Sequence, residues 1–160
     1  MTTSSSCAWV RSPSRTRRSA AEISHEATGR GRTGPVSVLL FGLIACAGGV
    51  GAALRLAVDG FIRARARVIY PLGTTVINVT GSLLLGLVTG LALTRILPEE
   101  LALILGSGLL GGYTTFSTAS YETIRLIQEG RWLAALVNGP GMLLLCVLAA
   151  AAGLWVGALL

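Results

Sequence analysis

The chain has no lysine, one histidine and three cysteines, and only 12% of its 160 residues are charged. Soluble domains carry charge on roughly a quarter of their residues, so an ordinary soluble fold is excluded. Cys7, Cys46 and Cys146 are scattered with no CxxC pair, and His25 stands alone in the polar N-terminal region. That leaves no His and Cys set for a metal, and the cysteines read as small apolar residues. Acidic residues are missing from the middle of the apolar runs: Asp59, Glu99 and Glu100 lie near their ends, and Glu122 follows a glycine-rich stretch. A proton-coupled exporter needs a titratable carboxylate inside the membrane, and this chain does not offer one. No nucleophile stands beside a base and no phosphate loop is present, so no enzyme is expected.

What is present is apolar, 52% of the residues with a mean hydropathy of +0.72. Runs of about twenty such residues read as spanning helices. Four are expected, at 36–58, 72–93, 101–127 and 133–159, giving an all-α membrane protein with both termini on one side. Residues 36–159 form one four-helix transmembrane domain. Residues 1–35, rich in Ser, Thr, Arg and Gly, read as a disordered basic tail, a composition that also fits a start codon placed too early. The net charge of +6 comes from thirteen arginines in the tail and at the span ends. There they face solvent or lipid headgroups rather than nucleic acid. Arg30, Arg32 and Arg95 fall near one face, and Arg63, Arg65, Arg67, Arg125 and Arg131 near the other. With the tail arginines, that bias is weak and permits insertion in either direction.

Polar groups inside the spans need partners or a wet cavity. In "PLGTTVINVTGSLLLG", Thr74, Asn78 and Ser82 fall four apart on one helical face. Two readings fit: hydrogen-bond glue between helices, or a polar track along a pathway. Gly81 and Gly86 of the same span allow close helix approach, and Gly48, Gly49 and Gly51 give the first span a small-residue face. Arg55, near the end of that span, either snorkels to headgroups or lines an anion-attracting vestibule. The third span holds "GLLGGYTTFST", in which glycines and hydroxyls undermine the helix in its middle. A break there bares carbonyls, which broken membrane helices use to hold cations. Hydroxyls, an amide and ring edges without fixed negative charge suit a small, strongly accepting anion. The fourth span carries "LVNGPGMLLL", a Gly-Pro-Gly kink after Asn138.

The blocks "GGVGAALR", "GTTVINVTGSLLLG" and "GLLGGYTTFSTASYE" resemble, in order and on the expected spans, the Fluc/CrcB fluoride channels. The resemblance covers about residues 36–158. It implies a fluoride-selective channel in the cell inner or plasma membrane that lets cytoplasmic fluoride escape and so reduces its toxicity. It implies an antiparallel, dual-topology dimer, with the broken third helix of each copy at the centre. The Gly111 and Thr114 backbone carbonyls then hold a structural Na+ that is not transported. The fluoride pathway implied is Asn78, Phe116, Ser117 and Thr118, with Arg55 at the vestibule and Glu122 closing the block. The family's second phenylalanine falls at Ala119, and its tyrosine of the fourth span has no counterpart here. Because some members pair unlike subunits, Ala119 leaves homodimer and heterodimer both open. A small multidrug-type exporter is the other four-span alternative, set back by the missing carboxylate.

Overall fold

A computed structural model of the chain describes residues 38–65 and 70–160. The tail expected over 1–35, with His25 and Cys7, and the loop residue Arg67 lie outside the described residues. Those described form helices and turns only. In chain order they are α1 (Val38–Arg65), α2 (Leu72–Leu93), α3 (Glu99–Leu103), a π-helical stretch π1 (Ile104–Leu110), α4 (Gly111–Tyr113), α5 (Phe116–Gln128), α6 (Trp132–Leu136), a second such stretch π2 (Val137–Gly141) and α7 (Met142–Leu159).

Among the described residues, three unbroken helices are long and apolar enough to cross a membrane: Val38–Arg65, Leu72–Leu93 and Trp132–Leu159. The first runs past its expected end at Val58, through Arg63 and Arg65. Local pairs hold that extra length. Arg63 Nε meets Asp59 Oδ2 at 2.9 Å one turn away, and the Arg65 guanidinium lies 4.8 Å from the Phe61 ring centre. Glu99 and Glu100 occupy the first turn of α3, directly after Pro98, where carboxylates complement the helix dipole. The span expected over 101–127 is split. Its second part, α5, has 13 residues and is about 20 Å long, short of a hydrocarbon core of about 30 Å.

Two glycine-lined contacts organise the bundle. α2 lies along α7, where a Cβ on Gly86 would run into the Ala150 carbonyl and one on Gly153 into the Leu83 carbonyl. α1 lies along π1 and α4, where a Cβ on Gly51 would meet the Leu109 carbonyl and one on Gly112 the Gly48 carbonyl. Lipid tails are as apolar as leucine, so close backbone packing of this kind, rather than burial from water, holds membrane helices together. The small-residue face expected on α1 is narrower than its sequence suggests, because Gly49 meets nothing within 4 Å. Large apolar side chains point outward instead, Leu143, Leu144 and Phe41 among them. The backbone from Trp132 to Leu159 stays helical across Pro140, and the expected kink is a π-helical widening.

Candidate functional site

The site is built around the end of α4. Tyr113 is its last helical residue. Thr114 then takes φ −78° and ψ 159°, and Thr115 φ −148° and ψ 120°. Two extended residues therefore separate α4 from α5, inside the "GGYTTFST" block where glycine and hydroxyl residues weaken the helix.

Asn78 of α2 meets the break directly. The Thr115 N–H donates to Asn78 Oδ1 at 2.8 Å, and Asn78 Nδ2 donates to the Thr115 carbonyl at 2.9 Å. One side-chain amide thus satisfies both polar groups of a buried backbone residue, as a neighbouring strand would. Gly81, three residues along α2, makes the approach possible, since a Cβ there would collide with Thr114 Cγ2. Asn78 and Thr74 are buried, so the four-apart polar face of α2 is turned inward over this part.

The rerouted donors free two carbonyls. In an unbroken helix the Thr115 N–H would bond to the Gly111 carbonyl, and the Thr118 N–H to that of Thr114. Here the first donates to Asn78. The second donates to Thr115 Oγ1 at 3.3 Å, with Thr115 acting as N-cap of α5. The Thr115 hydroxyl also lies 3.0 Å from Thr118 Oγ1 and 3.3 Å from Ser117 Oγ. Hydroxyls and bared peptide oxygens thus concentrate within a few residues, at a point where lipid would tolerate neither without partners.

A cavity of about 610 Å³ opens beside the break, lined by Asn78, Ser82, Thr115, Phe116, Ala119 and Thr123 together with residues of π2 and α7. Its wall is mostly apolar, with polar groups at a few points. The second N–H of Asn78 faces Met142 Sδ at 3.7 Å, a weak acceptor. Phe116 is 85% exposed at the first turn of α5, while Ala119, where a second ring is expected, is buried.

Of the expected pathway residues, Asn78 and Phe116 come together on this cavity. Ser117 and Thr118 do not line it; their hydroxyls gather at Thr115. Glu122 lies on a second, smaller cavity of about 170 Å³, with Asp59, Arg63, Tyr70, Arg125 and Glu129. Arg63 bridges there, 2.9 Å from Asp59 and 3.7 Å from Glu122. Arg55 is half-buried on α1 and lines neither cavity. Gly111 opens α4, one turn before the break, and Thr114 is the first of its two extended residues.

Reasoning from sequence missed three contributors. Thr115 caps α5 and mates with Asn78, although it reads only as one hydroxyl among several. Asn138 is fully buried, with Nδ2 donating to the Ala119 carbonyl at 3.2 Å and to Thr123 Oγ1 at 2.9 Å. An amide inside an apolar run must find partners, which is the signal that could have found Asn138 and Thr123 as a pair.

Residues 42–154 match the family model described as CrcB-like protein, Camphor Resistance (CrcB). The chain is 60% identical over 116 residues to the fluoride-specific ion channel FluC 1 of Leifsonia xyli, covering 72% of this chain and 85% of the relative. It is 49% identical over 116 residues to the fluoride-specific ion channel FluC 2 of Cutibacterium acnes, covering 71% and 94%. It is 44% identical over 106 residues to FluC 1 of Streptomyces avermitilis, covering 66% and 86%.

Proposed function

This chain belongs to the CrcB family, and on that premise we propose that it is a fluoride-selective channel through which cytoplasmic fluoride leaves the cell passively. It is a multi-pass membrane protein. The observation that carries the reading is the family match itself, whose span of residues 42–154 takes in Asn78, the break and the cavity beside it. In this reading the pieces α3 to α5 cross the bilayer together as the third of four spans.

The chemistry of the break supports it. Permeation needs sites strong enough to replace hydration and weak enough to release the ion. Asn78 offers an N–H whose partner is only a thioether sulfur, so a fluoride ion is the better acceptor. Phe116 presents the positive edge of its ring to the anion. Ser117 and Thr118 stand off the cavity wall with their hydroxyls gathered at Thr115, and Arg55 and Glu122 act at the mouths. Two copies in antiparallel orientation put their breaks at a common centre, an isologous arrangement that the weak arginine bias allows. The exposed Phe116 ring is then covered by the partner subunit.

The Gly111 and Thr114 carbonyls fit a structural Na+. Both have lost their helical donors to Asn78 and to the Thr115 hydroxyl, and uncharged peptide oxygens suit an alkali cation at membrane depth. Once bound, the ion supplies fixed positive charge that offsets the carbonyl dipoles beside an anion path. A pairing with an unlike subunit is the second reading. It is favoured by Ala119, which puts no ring on the cavity wall, and is compatible with relatives that bear the names FluC 1 and FluC 2.

The test is fluoride efflux from liposomes holding this chain alone, read with a fluoride electrode. Wild type is expected to pass fluoride far faster than chloride. Phe116→Ile is expected to slow efflux about tenfold, equivalent to roughly 1.4 kcal/mol in the barrier, with the dimer intact on size exclusion. No fluoride efflux from the chain alone, restored by a second subunit, assigns it to a heterodimer. No efflux under either condition removes the proposal.

A further inference from the structure

The position of α5 decides what faces the cavity, and a residue outside the pathway set holds that helix. Asn138 of π2 is fully buried, and its Nδ2 donates to the Ala119 carbonyl and to Thr123 Oγ1. Thr123 Oγ1 in turn donates to the same Ala119 carbonyl at 2.8 Å. The three groups close a ring between π2 and α5. Gly139 keeps the two elements near, since a Cβ there would meet Thr123 Cγ2 at 3.2 Å. Ala119, Thr123, Gly139 and Pro140 all line the cavity, so the ring ties its two walls together.

Asn138 Oδ1 shows the same residue at a disadvantage, because it is buried with no hydrogen-bond donor among the described residues. A buried acceptor without a partner carries a desolvation cost. Leucine, common in the neighbouring sequence, would avoid that cost and fill similar space. The amide's donors, both spent on the Ala119 carbonyl and Thr123, point to placement of α5.

We infer that Asn138 is a positioning residue of the anion path: through the Ala119 carbonyl and Thr123 it fixes the rotation of α5 that turns Phe116, Ala119 and Thr123 toward the cavity. α5 is then pinned at two points, by Asn78 at its start and by Asn138 one to two turns on. Two pins on one helix set its rotation as well as its distance. The inference rests on the channel reading above.

The experiment compares wild type, Asn138→Leu, Thr123→Val, the double variant and Thr123→Ser. Fluoride efflux from liposomes is measured for each, with size exclusion and thermal melting of the same samples. Asn138→Leu and Thr123→Val are each expected to slow efflux by about tenfold or more, as sub-ångström to ångström misplacement does, with melting close to wild type. The double variant is expected to be no slower than the slower single, because both remove one ring. Thr123→Ser, which keeps the hydroxyl, is expected to conduct like wild type. Wild-type efflux from Asn138→Leu overturns the inference. So do single losses that multiply in the double variant, and losses that track a fall in melting temperature. Should Asn138→Leu fail to assemble, Thr123→Val slowed beside an unaffected Thr123→Ser supports the inference, and Thr123→Val at wild-type rate overturns it. A wild-type chain that passes no fluoride, alone or with a second subunit, sinks the channel reading and this one with it. A conducting wild type with an indifferent Asn138 sinks this one alone.

Discussion

At Thr114–Thr115, where the sequence holds no proline, the backbone leaves the helix and runs extended. At Val137–Gly141, which contains Pro140, it remains helical and only widens to a π turn. The residue with the stronger intrinsic objection to a helix therefore makes the smaller disturbance. The difference lies in what waits nearby to receive the freed groups. At the first stretch, Asn78 stands ready to pair with the Thr115 N–H and carbonyl, and the Thr115 hydroxyl receives the Thr118 N–H. At the second, proline removes one donor, and glycines on either side let the turn widen around it. In lipid, an interruption goes as far as the surrounding protein can satisfy it. Each stretch also has its asparagine. Asn78 accepts from and donates to backbone, while Asn138 only donates and leaves its oxygen without a partner among the described residues.

The comparison breaks most readily at Asn78. Asn78→Asp cannot donate to the Thr115 carbonyl, which would leave a buried acceptor unpaired at about 1–3 kcal/mol. It also puts negative charge beside the proposed path. Fluoride efflux is expected to fall about a hundredfold or more, an increase of roughly 2.7 kcal/mol in barrier, read in the liposome assay. An Asp variant that conducts normally shows that the break holds without its amide partner. A second, smaller effect separates the two stretches by their carbonyls. If the oxygens bared at the break hold Na+, transfer to sodium-free buffer lowers stability by about 3 kcal/mol where the ion stood at roughly a hundred times its dissociation constant. Thermal melting with and without sodium reads this, and a curve indifferent to sodium removes the ion from the centre. The smallest effect is expected at Pro140. Pro140→Ala restores an N–H to a backbone already held in helical form by Asn138 and the Gly139 contact, so stability should move by less than about 1 kcal/mol. A large gain in melting temperature would show that proline was straining the helix after all.

Parts of this were legible in the sequence and parts were not, for identifiable reasons. The break between α4 and α5 was, because a double glycine followed by hydroxyl residues weakens a helix whatever surrounds it. The inward turn of Thr74 and Asn78 followed from four-residue spacing. Their partners did not, since spacing gives a face and not what lies opposite. The two readings of that face, glue or track, meet in Asn78, which bonds across helices and also lines the cavity. α1 outran its expected end because hydropathy ends at Val58, while the Asp59–Arg63 pair continues the helix beyond it. Gly-Pro-Gly read as a kink because local chemistry cannot show that a π turn absorbs the missing donor. The resemblance puts Ser117 and Thr118 on the pathway, and only the structure shows their hydroxyls gathered at Thr115 rather than on the cavity wall.

By itself the sequence determined that this is a helical membrane protein, which helix would fail, and which family it joins. Those depend on composition, local backbone preference and residue order, all carried by neighbouring residues. Only the tertiary structure decided which carbonyls are bared, which amide holds the break and which asparagine ties α5 to π2. Each depends on groups distant in the chain, Asn78 with Thr115 and Asn138 with Ala119, and a hydrogen bond between them exists only once the helices have packed.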